Sequence, residues 1–397
     1  MSFISFEESC ALLEQLSIEP IGSVQIPLSS ALGRILAEDI VAFEDMPSCP
    51  TSALDGYAIR VEDQKAKKIP IDLMDNPAGK SSRVLERGFC IKTFTGAIMP
   101  QGSDALIPIE NVSIESNHIV IHSEVSRGFG VREVGEIYSK DEPLIRKGVE
   151  LTYAELGVIA TLGMSAVRVA LPPRVSILAT GSELIDLAHS RSTQSQIYSS
   201  NSYMLEALVK SVGADAIQLG VCSDNKQSIT SMFERALSCS DIVISSGGVS
   251  VGDYDFVKDI VPSLGAKVLF KGVKIKPGQH ILVAQRGKKL IFALPGFAYS
   301  SAVTAILYIL PTIKKMLGDS QAPSYTEAIL TDSFTKHSEK TEFVACRLTE
   351  DNAQLLVDFD NKKSGTSAVL TNLLDRSAFM VATKSYKSGD RVKVLRV

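Results

Sequence analysis

The six cysteines of this chain, at positions 10, 49, 90, 222, 239 and 346, include no C-x-x-C pair. The usual spacing of a zinc site is therefore missing, no disulfide framework is suggested, and reduced thiols in the cytoplasm are the expectation. An excess of one charge is missing too: 41 Lys and Arg stand against 45 Asp and Glu, a net of -4. Nothing draws the whole chain to nucleic acid or to an anionic membrane surface, so an anion site must be local. Long apolar runs are absent. The richest, "SAVTAILYILPTI", contains Pro311 and falls short of the about 20 residues that cross a bilayer. The opening "MSFISFEESCALLEQL" lacks the basic, apolar and small-residue order of a signal peptide, and no targeting signal is visible.

What is present is enough apolar residue, 45% of 397 positions, for several cores. The first forty residues read helical: Ser5 and Glu8 form an S-x-x-E capping box before an amphipathic run, and "SSALGRILAEDIV" reads as a further helix. From 46 to 140, prolines and glycines punctuate short runs such as "DALIPIENVSI" and "HIVIHSEV", which predicts a β-rich domain. Helical spacing returns in "TYAELGVIATLGM" behind Thr152 as N-cap, giving a discontinuous helical domain of residues 1–45 and 141–173. Beyond Pro172 and Pro173, apolar strands alternate with amphipathic helices over 174–321, the mark of βαβ units on a parallel sheet. Residues 322–397 return to short strands and predict a small β-barrel. The expected fold class is multidomain, a central parallel α/β domain accompanied by helical, β-rich and barrel domains.

Ligands of open parallel sheets sit beyond the carboxyl ends of the strands. "ATGSEL" turns the chain there at Thr180, Gly181 and Ser182, with Glu183 where a helix could start. Amides at such a start favour an anion, Glu183 favours a cation or hydroxyl, and ordinary capping is the competing reading. In "IYSSNSYMLEALV", Asn201 or Ser202 reads as a helix cap. "SSGGVSVGDYDF" follows the apolar strand "DIVI": Gly247 and Gly248 allow close backbone approach, and Ser245, Ser246 and Ser250 offer hydroxyls. Asp253 and Asp255 beside such a cradle suggest phosphate with Mg2+, although a solvated glycine turn gives the same letters. The stretch matches neither a P-loop nor a G-x-G-x-x-G fingerprint. Lys271, Lys274 and Lys276 precede a Pro-Gly turn, while Pro295, Gly296, Ser300 and Ser301 end another strand; together they could converge on a tetrahedral oxyanion. Asp55–Gly56 in "TSALDGYAIR" reads as a hairpin turn, and "FTGAIMP" as a turn offering Thr95.

In order, "TSALDGYAIR", "FTGAIMPQGSDALIPIE", "ATGSEL", "IYSSNSYMLEALVKSVGA", "SSGGVSVGDYDFVKD", "KIKPG", "ALPG" and "SAVLTNLLDRSAFMVATK" resemble the molybdopterin molybdenumtransferase (MoeA) family, which includes the E domain of gephyrin. The resemblance covers essentially the whole chain. It implies an elongated cytoplasmic homodimer of four-domain subunits, whose α/β domain is similar to molybdopterin adenylyltransferase. It also implies insertion of molybdate into adenylylated molybdopterin with release of AMP, aided by Mg2+, with a molybdopterin adenylyltransferase and recipient molybdoenzymes as further partners. Carried over residue by residue, Glu183, Asp224 and Asp255 match acidic positions, with Glu183 and Asp255 as metal ligands. Asp55 and Thr95 match residues that reach the cleft from the partner subunit, and Ser250, Lys274, Lys276 and Ser300 match positions around pterin phosphate or molybdate.

The chain departs from the family pattern near the inferred cleft. Phe297 and Ala298 replace the last two residues of P-G-N-P, and Gln279 and His280 replace the last two of K-P-G-K-P, removing one ammonium. Ile137 stands where an aspartate is usual, Pro50-Thr51 where Asp-Asn is usual, and Ser182 replaces an aspartate. These departures keep two other readings open: a carrier or scaffold that binds molybdopterin, and an adenylyl-transfer enzyme built on the same α/β domain.

Overall fold

The computed structural model describes residues 3–79, 83–249, 256–319, 324–363, 367–375 and 377–396. The chain forms two compact units. The larger comprises Met1–Glu38, Lys147–Tyr153 and Ser165–Val397; the smaller comprises Asp39–Arg146 and Ala154–Met164.

The larger unit opens with the helix Phe6–Glu14, capped as the sequence predicts. Glu8 N–H donates to Ser5 Oγ at 3.0 Å, and Ser5 N–H donates to Glu8 Oε2 at 2.7 Å. The helix expected over "SSALGRILAEDIV" does not form beyond the single 3-10 turn Leu28–Ser30. Gly33 adopts φ +73, which breaks a helix, and the backbone beyond it pairs instead, Ile35 with Glu150 and Leu36 with Val169. Long-range pairing overrides local periodicity here, because it buries Leu36 almost completely.

At the centre lies a six-stranded sheet in the order Asp215–Cys222, Arg174–Thr180, Ile242–Ser246, Lys289–Leu294, Leu282–Arg286, Lys267–Lys271. Its first four strands are parallel, Leu282–Arg286 runs antiparallel to them, and Lys267–Lys271 pairs antiparallel with Leu282–Arg286. The strand Ile242–Ser246 is buried throughout, and its alternate side chains enter different cores. Ile242 and Ile244 join Leu205 and Val209 of the helix Ser200–Ser211; Val243 joins Ile229 and Phe233 of the helix Lys226–Cys239. Helices on both faces explain why this strand carries an unbroken apolar run.

The C-terminal strands Tyr325–Leu330, Thr341–Asp351, Gln354–Asp358, Ser377–Ala382 and Arg391–Arg396 close into a barrel, because Thr341–Asp351 pairs with both Gln354–Asp358 and Ser377–Ala382. The short strand Ile275–Lys276 adds to it in parallel, opposite Thr341–Glu342. Phe343 and Phe379 of the barrel share a core with Tyr299, which follows the central strand Lys289–Leu294.

The smaller unit is made of short strands. Gly56–Ile59 lies between Ile91–Thr93 and Ala105–Pro108, over a core that includes Tyr57, Ile59, Ile69 and Ile107. Asp55–Gly56 is therefore not a hairpin turn; Gly56 starts a central strand. A Cβ there would stand 2.2 Å from the Ile107 carbonyl oxygen, so close strand packing, not turn geometry, selects glycine. Among the described residues, no helix is long and apolar enough to cross a membrane.

Gly56→Ala should therefore destabilise the smaller unit by about 2–3 kcal/mol through overpacking, read as a lowered denaturation midpoint; an unchanged transition would refute the packing account.

Candidate functional site

Two strand-end turns meet at the carboxyl edge of the central sheet. After the strand Arg174–Thr180, Ser182 N–H donates to Asp224 Oδ2 at 2.8 Å and Asp224 N–H donates to Ser182 Oγ at 3.3 Å. This reciprocal pair ties the turn to the one following Asp215–Cys222. No helix starts at Glu183. Leu184–Ile185 instead pairs in parallel with Ile197–Tyr198, because a second extended segment is available to take its backbone groups. The exposed Glu183 carboxylate folds over Gly181, where a Cβ would stand 2.9 Å from both of its oxygens.

The facing turn follows Ile242–Ser246. Gly247 at φ +99 and Gly248 at φ +70 occupy conformations that suit glycine. A Cβ at 247 would lie 2.5 Å from the Thr180 carbonyl oxygen, and one at 248 would lie 2.8 Å from Val257 Cγ2. Either virtual atom would also sit 3.0 Å from Thr180 Oγ1, a buried hydroxyl with no hydrogen-bond partner among the described residues. An unpartnered buried hydroxyl facing a glycine turn fits a cradle that a ligand completes.

Asn201, expected as a helix cap, does something else. Its Nδ2 donates to Ser246 Oγ at 2.6 Å and to the Gly296 carbonyl at 2.8 Å, so one amide bridges the ends of two sheet strands. The cap position of that helix belongs to Ser199, which makes no capping bond with its side chain.

These turns line a cleft of about 1330 Å3, whose opposite wall comes from the barrel. Lys276 Nζ lies 3.3 Å from Glu342 Oε2, and Ser338 Oγ donates to Glu342 Oε1 at 2.7 Å. The Glu342 side chain is 7% exposed while that of Lys276 is 46% exposed. The ion pair therefore anchors the Lys276 ammonium at the cleft wall while its side chain stays half-exposed. Lys340 Nζ donates to Gln279 Oε1, and Gln279 Nε2 lies 2.7 Å from His280 Nε2. An ammonium thus does stand beside position 279, supplied by the bend that precedes the strand Thr341–Asp351. Lys362, Lys363 and His337 also line this wall, against Glu183 and Asp224 across the cleft.

Of the residues singled out from sequence, Thr180, Gly181, Glu183, Asp224, Gly247, Gly248, Lys276, Pro295, Gly296 and Ser300 line the cleft. Ser182 sits behind Asp224. Ser245 is fully buried within its strand, its hydroxyl without a partner among the described residues. Lys274 is exposed and contributes backbone bonds to Ile4 and Thr341. Ser250, Asp253 and Asp255 lie outside the described residues. Lys340, Glu342 and the barrel lysines escaped sequence reasoning; the only local signal was charge interrupting "SEKTEF" ahead of a strand.

In the smaller unit, Asp55 Oδ1 accepts from both Thr95 N–H and Thr95 Oγ1 at 2.7 Å. The backbone bond from Thr95, then its hydroxyl, hold the Asp55 carboxyl below its ordinary value, with a smaller contribution from Lys92.

Residues 4–163 match the MoeA N-terminal region (domain I and II), and residues 176–315 match a probable molybdopterin binding domain. A molybdopterin molybdenumtransferase of Staphylococcus epidermidis is 30% identical over 400 residues, covering 99% of this chain and 95% of that protein. The Bacillus subtilis molybdopterin molybdenumtransferase is 31% identical, covering 94% of this chain and 89% of its own. A crystal structure of the molybdopterin biosynthesis MoeA protein of Pyrococcus horikoshii superposes with a TM-score of 0.84 at 29% identity, covering 100% of both chains.

Two measurements follow from the geometry. Asn201→Ala should lower stability by about 1–3 kcal/mol, since it strands a buried hydroxyl and a carbonyl; an unchanged denaturation midpoint would remove the bridge from the fold's support. Asp55 should titrate by NMR below the ordinary carboxylate value, and Thr95→Val should move that midpoint upward. Because the folded value is depressed, the Asp55–Thr95 stabilisation is complete above the ordinary carboxylate value and disappears as pH falls through the depressed one. An Asp55 midpoint indifferent to Thr95 would contradict this.

Proposed function

We propose a side-chain mechanism for a protein that belongs to the molybdopterin molybdenumtransferase (MoeA) family. In molybdenum cofactor biosynthesis this enzyme inserts molybdenum from molybdate into adenylylated molybdopterin and releases AMP. Two anions must meet in one site, so the chemistry depends on countercharge and positioning. The observation that carries the residue assignment is a single cleft with a glycine-and-hydroxyl cradle on one wall and lysines on the other.

In this reading the Gly248 amide and the free Thr180 hydroxyl hold the phosphate end of the pterin substrate, while Gly247 N–H stays bonded to the Leu294 carbonyl and gives the bend its closeness to Thr180. Lys276 and Lys340 hold molybdate, with Ser300 at the same wall. Glu342 fixes the direction of Lys276, and Gln279 fixes that of Lys340. Lys274, exposed outside the cleft lining, would act at longer range on the approaching anion.

Mg2+ fits the donor chemistry present. Glu183 and Asp224 supply carboxylate oxygens on the cradle side, and Mg2+ commonly takes one or two carboxylates together with substrate phosphates. Among the described residues there is no group of three or more metal-binding side chains; an ion on these two carboxylates would take its remaining ligands from substrate phosphate and water. When bound, it would neutralise charge on the phosphoanhydride. Asp255 remains the further acidic candidate from sequence. The reading extends to a cytoplasmic homodimer in which Asp55 and Thr95 come from the second copy, and to exchange of pterin with an adenylyltransferase and recipient molybdoenzymes. It also takes residues 1–45 with 141–173, 46–140, 174–321 and 322–397 as the functional domains.

Reconstitution of a cofactor-free molybdoenzyme with this protein, adenylylated molybdopterin and micromolar molybdate tests the assignment. Lys276→Ala should raise the molybdate concentration for half-maximal AMP release about 10- to 100-fold, the range for a hydrogen bond to a charged group. Wild-type dependence on molybdate in that variant would take Lys276 out of the pocket. Pterin bound by the wild type without AMP release would make the protein a carrier.

A further inference from the structure

We propose that Phe297 is a stacking platform for the planar heteroaromatic ring of a phosphate-bearing ligand, set at the lip of the cleft beside the amide cradle. This deepens the functional reading above and rests on it.

Phe297 is 62% exposed, the most exposed phenylalanine among the described residues, and the only exposed one in the larger unit. Single exposed apolar side chains are ordinary, but this one is held in place. The strand before it, Lys289–Leu294, is buried along nearly its whole length. Asn201 Nδ2 grips the Gly296 carbonyl at 2.8 Å, and Ser301 N–H donates to the Phe297 carbonyl at 2.9 Å. Phe297 itself takes extended backbone angles, φ -67 and ψ 126, immediately before the helix Ala298–Thr304. Behind it, Tyr299 to Thr304 are all buried, so the core is already filled. The backbone at this position is held, and the exposed ring lines the cleft rather than joining the core.

It does not stand alone. Ile197 and Tyr198, 48% and 36% exposed, line the same cleft, and the Arg191 guanidinium lies 4.8 Å from the centre of the Tyr198 ring. The cleft therefore joins an apolar, aromatic lip to a glycine bend over the unpartnered Thr180 hydroxyl. An oxyanion alone uses only the glycine-and-hydroxyl cradle, and an aliphatic chain has no use for that cradle. A flat nitrogen-rich ring carrying phosphate uses both, because its π-face stacks on phenyl while its phosphate takes the Thr180 hydroxyl and the Gly248 amide. Purine and pterin share that chemistry, and the test separates them.

The chain contains no tryptophan, so Phe297→Trp installs a single emitter at the platform. Calorimetric titrations would use AMP, a pterin monophosphate lacking adenine, and inorganic phosphate. Phe297→Ala should weaken the cognate ring-bearing ligand by about tenfold, the scale of base–aromatic stacking, and leave phosphate unchanged. Phe297→Leu should share that loss, since it is apolar but not flat. Phe297→Trp should retain binding, and its emission should be quenched by the same ligand. AMP responding alone identifies purine as the stacked ring, and the pterin responding alone identifies pterin. Unchanged affinities in Phe297→Ala, full rescue by leucine, or tryptophan emission indifferent to saturating ligand would each overturn the proposal. A wild-type protein that binds neither ring-bearing ligand would instead overturn the functional reading beneath it.

Discussion

The Thr180 carbonyl oxygen stands 2.5 Å from where a side chain at position 247 would have to begin, and the architecture of the cleft follows from that approach. Two parallel strands can bring their end turns this close only if one of them carries no Cβ. The result is a bend in which Gly247 N–H still bonds the Leu294 carbonyl, beside a threonine hydroxyl left buried and without a partner among the described residues. Asn201 then fixes the separation of the neighbouring ends by bonding Ser246 and Gly296. Position 296 in turn sets where Phe297 projects. One steric constraint thus determines both the phosphate-like cradle and the apolar lip.

Charge is divided across the cleft rather than mixed within it. Glu183 and Asp224 lie on the sheet side, and the lysines cluster toward the barrel. The Lys276–Glu342 pair shows how the second cluster is made tolerable. Glu342 is nearly buried, which would be unfavourable for a lone carboxylate, but it accepts from Ser338 and faces an ammonium. The parallel addition of Ile275–Lys276 to the barrel is what brings those residues together. Without that short pairing, the Pro-Gly turn and the barrel strand would have no common register.

Legibility in the sequence followed the range of the interactions. The capped helix at Phe6–Glu14 was readable because its capping bonds span three residues. The alternating strands and helices of the α/β domain were readable because burial on both faces leaves continuous apolar runs. Glycines 247 and 248 stood out because their chemistry is unusual in any context. What stayed hidden depended on distant partners. "SSALGRILAEDIV" has helical spacing, yet Leu36 is claimed by Val169. Asn201 has the letters of a cap, yet its partners lie 45 and 95 residues away. Asp55–Gly56 has the letters of a hairpin, yet the Ile107 carbonyl makes the glycine a packing necessity.

The same distinction governs how the departures in the chain are to be understood. Gln279 stands where the family pattern carries a lysine, and along the sequence this reads as a lost cation. In space, the Lys340 ammonium rests on the Gln279 side-chain oxygen. A neutral amide holds that ammonium without cancelling its charge, whereas a carboxylate in the same place would neutralise it. Lys276, beside it, is tied to Glu342 and contributes its charge only in part. The cationic character of the wall therefore rests on an amide–ammonium contact between two elements that no local motif connects. Phe297 is the complementary case: the substitution puts an exposed π-face at the lip where the family pattern carries an amide side chain.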